Sequence, residues 1–321
     1  MNRIWLVLGM CALAACRGGS AARQAPPRAA VAPAEADVKP QRNPTARWHV
    51  VDVQVETAVE EAQEVTSLAT GALQTALTDA VRELPEVTAV GPAPAGLPVA
   101  QQVGVGLVVA WQRIDGDHGP RPVTDPASDG DLQLVVNVEV QQPQPHGPPA
   151  TAKARFDGEV PLPAERLADF PVFLRDKLGQ AAALAVTDAL HQLWAGGLDD
   201  AELTTLLAED ATPVHQAAAA REVGERGLAA ARERLEALSR AGRRDVAQVA
   251  VAALGRLGDA RSVPVLVDAL DSGHGEVIDA ALQALADMPL PQARTALREA
   301  ADRHIDPAVR KRAKMLLQPS P

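Results

Sequence analysis

From Trp48 the chain alternates apolar and polar positions with a period of two. Val51, Val53 and Val55 share one side and Asp52, Gln54 and Glu56 the other, the pattern of a strand with one face buried. Leu68, Ala72, Leu73, Ala76, Leu77, Ala80, Val81 and Leu84 then recur at three- and four-residue spacing, which predicts an amphipathic helix stopped by Pro85. After a short strand at 87–90, three longer alternating stretches follow. They turn Val103, Val105, Leu107, Val109 and Trp111 inward, then Leu132, Leu134, Val136, Val138 and Val140, then Ala152, Ala154, Phe156 and Val160. These read as a three-strand meander. A helix from about Phe170 to Trp194 carries Leu174, Leu178, Ala182, Ala185, Val186, Ala189, Leu190 and Leu193 on one stripe. Because each strand has a single apolar side, both helices belong on one face of one sheet. The expectation for 48–198 is a two-layer α+β domain with an antiparallel-rich sheet.

Beyond Asp199 the periodicity becomes helical and repeats. A shift of 31 residues superposes Val246 on Val277, Ala250 on Ala281, Ala253 on Ala284, Leu254 on Leu285, Leu257 on Met288 and Leu266 on Leu297. Gly258 suits the end of one helix and Pro264 the first turn of the next. A looser earlier copy spans Pro213 to Leu238, and Asp306-Pro307 opens a last helix. The stretch Val249 to Leu270 resembles the bacterial HEAT repeat, and the resemblance extends over about 212–317. The second copy departs from that pattern, with Met288-Pro289-Leu290-Pro291 where the Gly-Asp turn is expected. What this resemblance implies for 199–318 is an all-α solenoid that binds protein and carries no chemistry of its own. In element order, residues 48–196 also resemble the N-terminal domain of TolB and the related curli-secretion and penicillin-binding-protein-activator lipoproteins. That likeness implies an alternative role as a regulatory or assembly subunit of a periplasmic enzyme or cell-envelope complex.

The first residues have a different logic. Arg3 precedes an apolar segment, Ile4 to Leu13, too short to span a bilayer, and Leu13-Ala14-Ala15-Cys16 resembles the lipobox of bacterial lipoprotein precursors. The resemblance implies removal of residues 1–15 and attachment of a diacylglycerol and a palmitate-class N-acyl chain to Cys16. It further implies an envelope protein held in the membrane by lipid, and Arg17 after the cysteine favours the outer membrane, facing the periplasm. Residues 16–47, rich in Pro, Ala, Arg and Gln without apolar periodicity, are expected to form a disordered tether.

Composition narrows the remaining possibilities. A formal net charge of −10 argues against a nucleic-acid partner, because phosphate binding needs clustered cations. The two cysteines, Cys11 in the leader and Cys16 at the lipid site, leave no disulfide and no thiolate metal ligand in the mature chain. Aromatic residues make up only 2% of the chain and tyrosine is missing, so stacking platforms for bases or sugars are scarce.

The motifs of hydrolases, zinc proteases and phosphate-binding loops do not occur, and the expectation is a non-enzyme with no cofactor, no metal and no small-molecule substrate. Gly104-Val-Gly106 reads as small residues on the outward side of a strand. The loop Asp115-Gly-Asp117-His118-Gly, with Asp125, Asp129 and Asp131, gathers oxygen ligands that calcium could use but lacks the EF-hand spacing, and it reads as a solvated turn. The seven histidines show no ligand spacing. Arg303, Arg310, Lys311, Arg312 and Lys314 make a basic end, offset by Asp302 and Asp306. A solvated cap helix accounts for them, and Arg310, Lys311, Arg312 and Lys314 are also the candidates for docking an acidic protein or anionic head groups. The expected partner is a protein of the cell envelope.

Overall fold

The computed structural model describes residues 47–58, 70–114, 120–121, 130–163, 166, 169–208, 211–241 and 243–318. Cys16, the leader, the tether up to residue 46, Leu68, and Asp115, Asp117, His118, Asp125 and Asp129 lie outside the described residues.

The chain builds an α+β layer and continues into a helical stack. Strand β1 (Trp48–Thr57) is followed by α1 (Thr70–Arg82) and β2 (Val87–Val90), then β3 (Gln102–Ile114), β4 (Pro120–Arg121), β5 (Gly130–Gln142), β6 (Ala150–Leu162) and α2 (Phe170–Gly196). The sheet order is β2-β1-β3-β5-β6, with the short β4 paired to the end of β3. β1 runs parallel to both β2 and β3, and α1 carries the chain back from β1 to its parallel neighbour β2. The β3-β5-β6 meander is antiparallel in continuous register, Val105 facing Val140 and Val140 facing Ala152.

The alternation in β3, β5 and β6 is found as read, with Trp111, Phe156 and Val160 only half-buried on its inward face. Val103, Leu107, Leu132, Leu134, Val136 and Val140 are inaccessible or nearly so, and Ala152 and Ala154 continue the same face. β1 departs from its reading. Val50 and Val53 are the buried residues and Val51 is only half-buried, because the register with β3 slips between Val50 and Asp52. One such bulge moves the inward side by one residue. α1 lies over β1 and β2 with Leu73, Leu77 and Val81 inward, α2 lies over β5 and β6, and the two helices touch. The opposite face of the sheet is solvated in its described part, with Gly104 facing open space and Gln112 hydrogen-bonded to Gln133. The layer is therefore single-sided.

The helical part comprises α3 (Asp200–Leu206), α4 (Pro213–Arg226), α5 (Arg232–Ser239), α6 (Arg244–Leu257), α7 (Val263–Ala269), α8 (Gly275–Asp287), α9 (Pro291–Arg303) and α10 (Pro307–Leu317). Helices α4, α6, α8 and α10 stack in sequence in one layer, and α5, α7 and α9 pack behind them. The irregular Met288-Pro289-Leu290-Pro291 stretch resolves into an ordinary boundary, with α8 ending at Asp287 and Pro291 opening α9. The C-terminal part of α2 packs on α4, so the helix that closes the sheet layer also begins the stack.

Candidate protein-interaction surface

The stack is built on close approach of small residues. A Cβ added to Gly255 would stand 2.5 Å from the Cβ of Ala284, and one added to Gly224 would stand 2.9 Å from the Cα of Ala253. Gly224 and Gly255 are themselves 31 residues apart, so the same contact recurs once per repeat. Gly227 and Gly258 end α4 and α6 in the left-handed conformation, at φ of 66° and 64°, which only glycine adopts cheaply.

Polar side chains tie successive turns. At the junction with the sheet layer, the Arg226 guanidinium donates to the carbonyls of Gly196 at 2.9 Å and Leu198 at 2.8 Å. It also donates to Glu222 at 2.6 Å and Asp200 at 3.1 Å. Burial opposes its charge, but hydrogen bonds to those two carboxylates outweigh this and hold its pKa above the ordinary arginine value. Arg226 thereby covers the end of α2 and the start of α3 at once. In the same repeat, Arg232 of α5 pairs with Glu236 and stands 3.7 Å from Asp259 of the next repeat, while the Ser262 hydroxyl donates to Glu236 at 3.3 Å. Hydrogen bonds from the Arg261 side chain and backbone, aided by the nearby charges of Arg261 and Arg232, pull the Asp259 carboxyl down to about 2.

The basic end divides into separate roles. Arg310 donates to the carbonyls of His304 at 2.6 Å and Ile305 at 2.9 Å, so its head group terminates α9. Arg312 lies 3.8 Å from Asp279 of α8. Lys311 and Lys314 are exposed without an ion-pair partner among the described residues. Val309 and Ala313 are buried where Val277 and Ala281 are in α8, at a spacing of 32, which puts Arg310 and Lys314 at the positions of Ile278 and Leu282. Charges thus stand in α10 where α8 carries apolar groups.

At the other end of the stack, Trp194, Leu198 and Leu206 floor a shallow cleft of about 410 Å³ rimmed by Asp199, Ala201, Glu202 and Thr205. The rim is held by a capping box. Asp199 accepts from the Glu202 amide and Glu202 accepts from the Asp199 amide, both at 2.9 Å. Midway along the stack Val267 is exposed on α7. Among the described residues no group of three or more His, Cys, Asp or Glu is placed to hold a metal ion, and no helix is long and apolar enough to cross a membrane. The cleft, Gly224, Gly255 and Arg226 are not singled out by the sequence reading, although the 31-residue shift relates the two glycines.

Residues 201–286 and 232–318 each match the sequence family of HEAT repeats. No curated protein matches the chain in sequence. HEAT repeats generally mediate protein–protein interaction, and the matched region is similar to them; α2 of the sheet layer packs on α4 at the start of this stack.

Proposed function

We propose that the protein is a non-enzymatic lipoprotein of the bacterial cell envelope, anchored through Cys16 and binding a second envelope protein along its HEAT stack. The repeats carry the reading: both layers match HEAT repeats and present exposed side chains, among them Ala201 on α3, Val267 on α7 and Lys311 and Lys314 on α10. The tripeptide and cysteine at 13–16 support the anchor, because acyl chains at one residue suffice to hold a chain on a membrane. Facing the periplasm from the outer membrane, a tether of about 30 residues at roughly 3 Å each would give the stack a reach of many tens of ångströms.

Affinity capture from envelope extracts tests the binding half. Wild-type chain should retain one protein in near-stoichiometric amount, and the surface combination Ala201→Arg, Val267→Asp and Lys311→Glu should lose it while melting at an unchanged temperature. A partner held equally by both would move the binding surface off the stack. Cys16→Ser should abolish lipid labelling and release the protein from membranes, and persistent labelling would sink the anchor.

A further inference from the structure

β6 is a 13-residue strand at the end of the sheet order, and among the described residues no strand pairs with its outer side. A long open edge of this kind is a template for another strand unless charges or prolines blunt it. Here the charges are arranged in a particular way. On the solvated face the strand reads Lys153, Arg155, Asp157, Glu159, two cations followed by two anions, centred on Phe156. The order reverses sign about that residue.

We infer that a second copy of this chain pairs antiparallel with β6 about a two-fold axis through Phe156. In that register Arg155 faces Asp157 of the other copy, Lys153 faces Glu159, and Ala154 faces Gly158, so four cation–anion pairs form across the axis. A slip of two residues in either direction leaves two cation–anion pairs and sets one like-charged pair on the axis, so the pattern favours the register with four. The ions are positioned for it. Arg155 and Asp157 already share a contact of 2.6 Å at the centre, Lys153 reaches Glu139 at 3.1 Å with most of its side chain exposed, and Glu159 has no ion-pair partner among the described residues.

The helix-side face of the edge is consistent with an added strand. Phe156 and Val160 are half-buried where the inward residues of β5 are fully covered. The Phe156 ring lies over Gly158, whose added Cβ would stand 2.8 Å from Cζ, so the space opposite Ala154 is filled by an aromatic edge. Phe156 is six residues from the end of β6, about 20 Å at ~3.3 Å per residue, and Leu184 is fourteen residues into α2, about 21 Å at ~1.5 Å per residue. Leu184, 63% exposed, is therefore level with the axis. With α2 seated over β5 and β6, the α2 helices of the two copies would stand about 10 Å apart, an ordinary helix-packing distance.

The full chain in mild detergent should sediment with twice the mass of one copy. Arg155→Asp, which sets four acids around the axis, should weaken association by about tenfold or more, and the swap Arg155→Asp/Asp157→Arg should restore it to within about threefold of wild type. Circular dichroism melts of each variant show that the chain still folds. Phe156→Cys should form a disulfide with its own counterpart, whereas Ala154→Cys should cross-link only when mixed with Gly158→Cys; the unsubstituted chain reports any contribution of Cys11 or Cys16. A single-copy mass at all concentrations would overturn the inference. So would a dimer indifferent to the charge reversal, failure of the swap to restore pairing, or self-cross-linking of Ala154→Cys as efficient as that of Phe156→Cys. Pairing of β6 with a strand from a different protein would appear as a single-copy mass for the isolated chain and would count against self-pairing.

Discussion

The sheet layer and the helical stack both bury leucines, but they bring their elements together at different distances. Leu107, Leu132, Leu134, Leu174 and Leu178 fill the sheet layer, and Leu235, Leu254, Leu266 and Leu282 fill the stack. The contacts between α4, α6 and α8 run in addition through Gly224, Ala253, Gly255 and Ala284. A pleated sheet holds its helices at a distance that large side chains must fill. Helices of equal length stacked in one layer can approach until backbones nearly touch, provided the facing residues are small. Both regions should therefore be sensitive to lost volume, and the stack in addition to added volume at its helix contacts.

The largest effects test the first half of that contrast. Leu134→Ala removes a wholly buried side chain from the centre of β5 and should cost ~2–5 kcal/mol in urea unfolding. Leu254→Ala, equally buried in α6, belongs to the same range through its own cavity. The two should differ in reach. Hydrogen exchange should accelerate chiefly over 213–317 for Leu254→Ala, because each repeat leans on its neighbours, and chiefly over β3, β5 and β6 for Leu134→Ala. Equal loss of protection throughout in either variant would show that α2, which contacts both regions, welds them into one cooperative unit.

Added volume gives the converse. Gly255→Ala places a methyl 2.5 Å from the Ala284 Cβ between two backbones that cannot yield separately, and should destabilise by ~1–3 kcal/mol. Gly104→Ala adds the same methyl to the open side of β3, where no atom lies within 4 Å, and should change stability by less than about 0.5 kcal/mol. Urea midpoints of the two variants side by side measure the asymmetry. Equal shifts would refute the small-residue account of the stack.

How much of this could be read from the residues depended on whether a contact leaves a periodic trace. The inward faces of β3, β5 and β6 and the stripe of α2 repeat every two or nearly four residues, and they are buried as read except for Trp111, Phe156 and Val160, which are half-buried. β1 misled by one residue because a bulge leaves no mark in the apolar pattern: Val50 and Val51 are both apolar, and either could face the core. The order of the strands, with β1 inserted between β2 and β3, rests on pairing between distant segments and is not encoded in any local period. In the stack, the 31-residue shift located the repeats, but the glycines that set their spacing are visible only once Ala253 and Ala284 lie against them. The cleft at Trp194 and the Arg226 junction combine residues from α2, α3 and α4, and no spacing within one helix announces them.

Arg226 offers a smaller test, at the place where the two regions meet. Arg226→Met keeps much of the stem but leaves the carbonyls of Gly196 and Leu198 without their donor, and the partly exposed site limits the cost to ~1–2 kcal/mol. The loss should appear as faster exchange at the end of α2 and in α3, while α6 and α8 retain their protection. Arg226→Lys should recover little, because one ammonium cannot span two carbonyls and two carboxylates in the geometry of the guanidinium.

The smallest effect concerns charge alone. Asp259 caps the turn before α7 by accepting from the Arg261 amide at 2.9 Å, and its carboxyl is held down to about 2 by the hydrogen bonds of Arg261 and by the neighbouring cations. A folded-state pKa below the ordinary value of 3.8 means that ionised Asp259 favours the folded chain. This contribution is fully present above the ordinary value and is lost as pH falls through the folded value, so the window lies between about pH 4 and pH 2. Asp259→Asn keeps an oxygen for the Arg261 amide and removes only the charge. Its melting temperature should lie slightly below that of the wild type at pH 7, and the two should converge as the pH approaches 2. Melts of both chains across that range cancel the titration of all other carboxylates, and a gap that stays constant from pH 7 to pH 2 would show that Arg261 and Arg232 do not act on Asp259 through its charge.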